Sequence, residues 1–299
     1  MGDMMRTDTA PSPQTKYLKD YTPPDYKIGR VDLLFDIHPG TTTVTARTVF
    51  QRTNPAIKNL ILDGQNLTLK SVSLDGTKLP KDRYTVDADT LVILDTPDSF
   101  TLEVVNDIAP EKNTALEGLY SSNNNYCTQC EPEGFRKITY YLDRPDVMTT
   151  FTTRIEADKK SCPVLLSNGN CLEKGDLQNG RHFAVWEDPF VKPCYLFALV
   201  AGDYEHIHDT FKTMTGRTVD LYIYVDKGNK DKTHHAMASL KASMKWDEEK
   251  YGREYDLNIF NIVAVNDFNM GAMENKSLNI FNSAVALAKP ETATANTHA

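Results

Sequence analysis

A chain of 299 residues, 40% of them apolar, can bury a sizeable core in one or two domains of roughly 100–200 residues each. Lys and Arg number 33 against 41 Asp and Glu, and a net charge of −8 argues against a nucleic-acid surface, where basic residues dominate and cluster. No run approaches the roughly 18 consecutive apolar residues of a membrane-spanning helix, so no membrane span is expected.

Residues 1–15, MGDMMRTDTAPSPQT, lack the apolar stretch of a secretory signal and read as a disordered tail. Asp3 and Asp8 speak against an organelle transit peptide, and Arg6 stands where a myristoylation pattern has Ser or Thr. Five cysteines (Cys127, Cys130, Cys162, Cys171 and Cys194) are an odd count, which fits reduced thiols in the cytoplasm, with a plastid-like organelle as the other setting.

From Tyr17 to about Ala201 the pattern is strand-like. VDLLFDI puts Val31, Leu33, Phe35 and Ile37 on one face at period two. SVSLDGTKL carries Asp75-Gly76 between short apolar runs, which predicts a hairpin whose turn needs positive φ. DTLVILD, SFTLEVVNDI, RHFAVWEDP and CYLFALVAG are further strands, with turns every 8 to 12 residues or so, the spacing of a β-sandwich or saddle. The expected first domain is residues 16–203.

The pattern changes afterwards. RTVDLYIYVD reads as a strand, and KTHHAMASLKASMKWDEEKYG as a helix with Met237, Leu240, Met244 and Tyr251 on one face and Gly252 as its stop. YDLNIFNIVAV is a buried strand, NDFNMGAMENK a loop, and SLNIFNS another strand. One helix and a few strands make a poor core, and the closing AKPETATANTHA offers no further element. Residues 204–299 are therefore expected to be the incomplete start of an α/β domain, with exposed apolar strand surface that favours aggregation or a partner.

Few of the usual chemical signatures are present. Cys127 and Cys130 form a C-x-x-C, but no second Cys or His pair stands at zinc-ligand spacing, and the motif follows a loop in a β region rather than opening a redox helix. His206 and His208 alternate on one side of a strand, and His234 and His235 are adjacent; none forms H-E-x-x-H. No nucleophile elbow, P-loop or dinucleotide fingerprint occurs. What remains are loop acids: Glu131 and Glu133 in TQCEPEGFR, and Glu274 in GAMEN. Apolar strands clamp each loop, and functional residues often lie on loops held by a rigid scaffold. Two carboxylates converging in a cleft would bind a free ammonium group.

GAMEN (Gly271 to Asn275), together with YLKDYTPPDY, NTALEGLY, CTQCEPEGFRKITYYLDRPDVM, LLSNGN, WEDPFVKPCYLFALVAGDY and SMKWDEEKYGREYDLNIFNIVAV, resembles the aminopeptidase N (alanyl aminopeptidase) family of zinc metallopeptidases in its bacterial and plant branch. The resemblance runs from about residue 17 to 294. It implies a mainly β fold: an N-terminal β-saddle followed by a thermolysin-like α/β catalytic domain, here incomplete. It also implies a substrate-binding set of Gln129, Glu131, Met270, Gly271, Ala272, Met273, Glu274 and Asn275. In that family the acids matching Glu131 and Glu274 bind the free α-amino group of a peptide, assisted by the residue matching Gln129. The backbone of Gly271 and Ala272 pairs with the extended peptide, and Met270 cushions its first side chain.

The family's zinc ligands sit in H-E-x-x-H and a distant glutamate, and this chain contains no H-E-x-x-H. Ala284-Val285 in NSAVALAK also departs from the family pattern, which has a basic residue and a larger side chain there. The expectation is an N-terminal fragment that keeps amino-terminus recognition, holds no catalytic residue or zinc ligand of its own, and is inactive alone. The contrasting reading is a non-catalytic β-domain that binds peptides or partners.

Overall fold

The computed structural model describes residues 15, 17–289, 291 and 293. The tail expected over 1–15 lies, Thr15 apart, outside the described residues, as does most of the closing polar run.

Strict alternation drives the largest sheet. In strand Tyr26–His38, Val31, Leu33, Phe35 and Ile37 are all buried while the residues between them are only partly covered. This strand is central: it pairs antiparallel with Thr41–Arg52 and parallel with Thr149–Asp158, with Arg30 opposite Thr150 and Asp36 opposite Glu156. Eight strands result, running Asn170–Asp176, Arg181–Lys192, Thr149–Asp158, Tyr26–His38, Thr41–Arg52, Ser99–Ile108, Thr68–Leu74 and Thr77–Lys78. The last two form the hairpin expected at Asp75-Gly76, where both residues have positive φ (48° and 79°).

Two smaller sheets complete the β-rich part. One joins Leu60–Asp63, Thr90–Ile93 and Tyr84–Val86; the other joins Val164–Ser167, Leu199–Gly202, Asn125–Gln129 and Gly118–Ser122. CYLFALVAG is not one strand: Cys194–Leu196 is a 3-10 turn following Pro193, and the strand starts at Leu199. Between the layers Phe35, Phe135, Tyr141, Phe151 and Phe197 pack ring against ring, with centroids 4.8 to 6.4 Å apart. Contacts in this range add to simple area burial.

A fourth sheet runs Glu205–Lys212, Thr218–Val225, Ile259–Val265, Leu278–Asn282 and Ala272–Met273. Its three central strands are parallel, which requires crossovers, and the helix His234–Tyr251 supplies the first. That helix buries Met237, Leu240 and Met244 against Val219, Leu221, Ile223, Ile262 and Ala264. Each such side chain contributes about 1.5–3 kcal/mol. The opposite face of the sheet, including Val263, Val265, Met273, Leu278 and Ile280, belongs to the main β-rich core. Gly252 ends the helix in the left-handed region (φ 62°), its N–H donating to Glu248 O.

Tyr251 departs from the expected buried face. It is 64% exposed, because the last turn carries it past the apolar patch; its ring lies edge-on to Trp246, itself half exposed.

Candidate functional site: an open edge strand and its flanking acids

The strand Asn125–Gln129 delivers its last side chain, Gln129, into the interior, where it is 2% exposed. The chain then doubles back tightly. Gly134 N–H donates to Cys130 O (2.8 Å), and a Cβ on Gly134 would lie 2.4 Å from Gln129 O, so only glycine fits. Phe135 then plugs into the aromatic core and fixes the loop's far end. Arg136 separates the two loop acids chemically. It contacts Asp143 (2.9 Å), Asp63 (3.7 Å) and Glu133 (3.5 Å). Glu133 is therefore committed to an internal cation. Among the described residues no ion pair or hydrogen bond engages the half-buried Glu131 carboxylate.

The loop expected over NDFNMGAMENK contains a two-residue strand, Ala272–Met273, pairing antiparallel with Phe281 and Ile280. It forms one edge of the fourth sheet, and among the described residues no strand pairs with its outer side. Burial alternates into the turn that follows: Met273, Asn275 and Ser277 are buried, Glu274 is exposed, and Ala272 and Lys276 are partly exposed. On the inner side, Gln129 Nε2 reaches Met270 Sδ (3.1 Å), Met273 Sδ (3.7 Å) and its neighbour's carbonyl, Glu131 O (3.3 Å). Gln129, Glu131, Met270 and Met273 thus meet. The Glu274 side chain is exposed, and among the described residues it too makes no ion pair or hydrogen bond. It lines a groove of about 410 Å³ shared with Met244, Tyr255, Phe260 and Lys276. Among the described residues no hydrogen bond or ion pair links the Glu274 side chain to Gln129 or Glu131.

The segment is clamped at both ends by the β-rich part. Upstream, Tyr120 Oη donates to Asp267 O (2.8 Å), Ser122 Oγ to Asp267 Oδ2 (2.8 Å), and Asn269 Nδ2 to Ala115 O (3.0 Å). Downstream, Asn275 Nδ2 donates to Phe197 O (3.3 Å), Asn168 Nδ2 to Lys276 O (2.9 Å), and Gly169 N–H to Ser277 Oγ (2.5 Å). Ser277 takes positive φ (63°) to make this turn. A Cβ on Gly169 would sit 1.9 Å from Glu187 O. Sequence reasoning did not single out Tyr120, Ser122, Asn168, Gly169, Asp267 or Ser277. The one available signal was small polar residues closing the apolar run in LLSNGN.

Among the described residues two buried oxygens here have no partner, Gln129 Oε1 and Asn275 Oδ1. A buried acceptor without a donor costs about 1–3 kcal/mol, so both would gain from a donor brought into the site.

The remaining candidates take structural roles. Cys127 and Cys130 are wholly buried, and burial pushes the Cys127 thiol up to about 12 and the Cys130 thiol well above its ordinary value. Neither can supply a thiolate near neutral pH. Cys194 donates to Asp143 Oδ1 (3.0 Å). Alkylating the native chain is expected to modify Cys171, the one exposed thiol of five, while all five react in denaturant; mass spectrometry counts the adducts. His208 bonds Asp220 (2.8 Å) and stacks on Tyr222, and His206 lies against Tyr222 and Tyr224.

Fold and site together define a mainly β protein whose fourth sheet offers an edge strand held against the β-rich part by hydrogen bonds at both ends. The chain belongs to the M1 peptidase family: the Peptidase M1 N-terminal domain matches residues 22–196, and the Peptidase family M1 domain matches 235–299. It is similar to Aminopeptidase N of Escherichia coli (strain K12), 56% identical over 282 residues, which is 94% of this chain and 32% of that protein. Aminopeptidase N of Caulobacter vibrioides is 53% identical over 290 residues, 97% of this chain and 33% of that protein. The crystal structure of Legionella pneumophila aminopeptidase A in complex with aspartic acid superposes with a TM-score of 0.89 at 35% identity, covering 93% of this chain and 33% of that one. The chain spans about a third of the length of these relatives.

Proposed function

We propose that this chain is the amino-terminus recognition part of an aminopeptidase N-type zinc metallopeptidase. Residues 16–203 form the β-saddle, and 204–299 the start of the catalytic domain. The observation that carries this reading is the pair of uncommitted carboxylates, Glu131 and Glu274, flanking an open edge strand beside Gln129. An ammonium offers charge and donors; the two acids offer charge and acceptors, and charge-assisted hydrogen bonds of this kind are about twice as strong as neutral ones.

A peptide would add to the edge as a further strand. Gly271 O already accepts Asn282 N–H (2.9 Å), which makes that a bonded pair of the antiparallel ladder. By alternation the N–H and C=O of Ala272 turn toward the open side. Ala272 is thus the main backbone contact, with Gly271 leaving the edge unobstructed. Met270, 40% exposed, is placed to cover the first side chain. Met273 and Asn275 support the strand from beneath.

Among the described residues no three His, Cys, Asp or Glu side chains are placed to hold a metal ion. The residues present do not fit a catalytic zinc, and its ligands are assigned to polypeptide outside them. The chain alone is therefore expected not to cleave peptides. Among the described residues no helix is long and apolar enough to cross a membrane. The free thiols support a placement in the cytoplasm, where they stay reduced. The groove between the helix and Phe260, Ile262 and Phe281 is a surface through which this chain would associate.

The test compares this chain with a longer form continuing through H-E-x-x-H, using an alanyl chromogenic amide and a zinc measurement on each. Turnover by the long form alone, lost with a chelator, supports the proposal. Chelator-sensitive turnover by the short chain refutes it. If neither form turns over but both bind amino-terminal peptides, the binding-module reading stands instead.

Glu274→Gln is expected to weaken capture of a free amino group roughly 10- to 100-fold, since a hydrogen bond to a charged group contributes about 1.5–3 kcal/mol. Calorimetry with a dipeptide amide measures it, and unchanged affinity removes Glu274 from the site.

A further inference from the structure

We propose that Asp256 and Phe190 are positioning residues that hold the Lys276 ammonium away from Glu274, keeping that carboxylate available for a peptide's amino group. This rests on the reading of Glu274 as an amine ligand and extends it to the residues that keep it selective.

Glu274 and Lys276 are two apart: Glu274 directly follows the edge strand, and Lys276 lies in the turn that Leu278 N–H closes on Asn275 O (3.2 Å). Both line the same groove. Residues two apart in sequence lie at most about 7 Å apart along the chain, well within reach of a lysine. Left alone, Lys276 would neutralise Glu274 and occupy the position a substrate ammonium needs.

The structure shows Lys276 turned elsewhere. Its Nζ lies 2.8 Å from Asp256 Oδ2 and 3.8 Å from the centroid of the Phe190 ring. Its carbonyl is fixed by Asn168 Nδ2, which limits how far the residue can swing. The other charges around the groove are Asp247, Arg253 and Glu254. Glu254 is occupied by the N–H and hydroxyl of Thr215 (2.5 and 2.9 Å). Asp256 is thus the anion that takes Lys276, and the Phe190 face gives the ammonium a second favourable contact. Phe190 comes from the β-rich part and Asp256 from the segment before Ile259–Val265, so the two parts together set the charge state of the groove.

The test titrates L-alanyl-L-alanine amide into the chain at low salt, with its N-acetylated counterpart as the control lacking an amine. Four variants are compared with the unmutated chain. Asp256→Asn should bind about fivefold more weakly, the range of one partly exposed ion pair. Asp256→Asn combined with Lys276→Met should return to within about twofold of the unmutated chain, because the competitor is gone; a purely structural role for Asp256 would not be rescued by a second substitution. Lys276→Met alone should bind no more weakly. Unchanged affinity in Asp256→Asn, or a double variant as weak as the single, overturns the proposal. Glu274→Gln separates the two levels: if it binds as the unmutated chain does, the amine does not sit at Glu274, and both readings fall. A ligand-free crystal structure of Asp256→Asn is the second readout. Lys276 Nζ should lie within about 4 Å of a Glu274 oxygen; a lysine still resting on Phe190 overturns the proposal.

Discussion

Asn168→Ala is expected to lower the unfolding free energy by about 3 kcal/mol and to loosen residues 270–278 from the β-rich part. The Asn168 side chain is 3% exposed and serves three backbone groups from two separate segments. Its Nδ2 donates to Leu196 O (3.1 Å) and Lys276 O (2.9 Å), and its Oδ1 accepts from Ala198 N (2.7 Å). Truncation leaves the buried Ala198 N–H and the part-buried Leu196 and Lys276 carbonyls unmatched, at up to about 1–3 kcal/mol each, with water recovering part of the total. A urea titration gives the stability change, and hydrogen exchange gives its location. Faster exchange confined to 270–278 and 196–199 is expected. Uniform acceleration would mean that Asn168 supports the fold generally and not this segment.

Asp188→Asn is expected to cost about 3–5 kcal/mol near pH 6, where Lys192 is charged. Both side chains are almost wholly buried, 3.0 Å apart, with Phe190 N–H also donating to Asp188 Oδ1 (3.1 Å) and the Lys192 ammonium 4.4 Å from the Phe151 ring centroid. Removing the carboxylate strands a cation in an apolar setting. Burial already pushes Lys192 down to about 8, against the pull of Asp188. Between about 8 and the ordinary 10.5 the unfolded chain binds more protons than the folded one. Stability from this group therefore rises with pH across that window, and its penalty is fully present below it. The cost of Asp188→Asn should accordingly shrink from pH 6 to pH 9, as the folded lysine sheds its proton. Asp188→Asn with Lys192→Met should recover most of the loss. A cost that is independent of pH and not recovered would mean that Asp188 acts through Phe190 N–H alone.

Neither effect was visible in the sequence, and the reason is physical. Asp188 and Lys192 lie at the end of a strand-like run whose pattern does not mark them as inward-facing, and only the structure shows both side chains buried. Asn168 acts on Lys276, 108 residues away, a distance over which local patterning carries no information. The parallel pairing of Tyr26–His38 with Thr149–Asp158 is hidden for the same cause. What was legible was local: the buried face of Val31, Leu33, Phe35 and Ile37, the positive φ at Asp75 and Gly76, and the helix stop at Gly252. Tyr251 shows the limit of periodicity, which assigns a face but not where the neighbouring element ends. At the candidate site, sequence supplied the residue types of GAMEN and TQCEPEG. Structure supplied the difference between Glu133, paired with Arg136, and Glu131, left unpaired.

A crystal structure of this chain soaked with a dipeptide amide puts the amine-clamp reading to its sharpest trial. The terminal nitrogen should lie about 3 Å from carboxylate oxygens of both Glu131 and Glu274, with the peptide backbone bonded to Ala272 along the open edge. A nitrogen bound by only one of these acids, or a peptide seated away from the Ala272–Met273 edge, would contradict it.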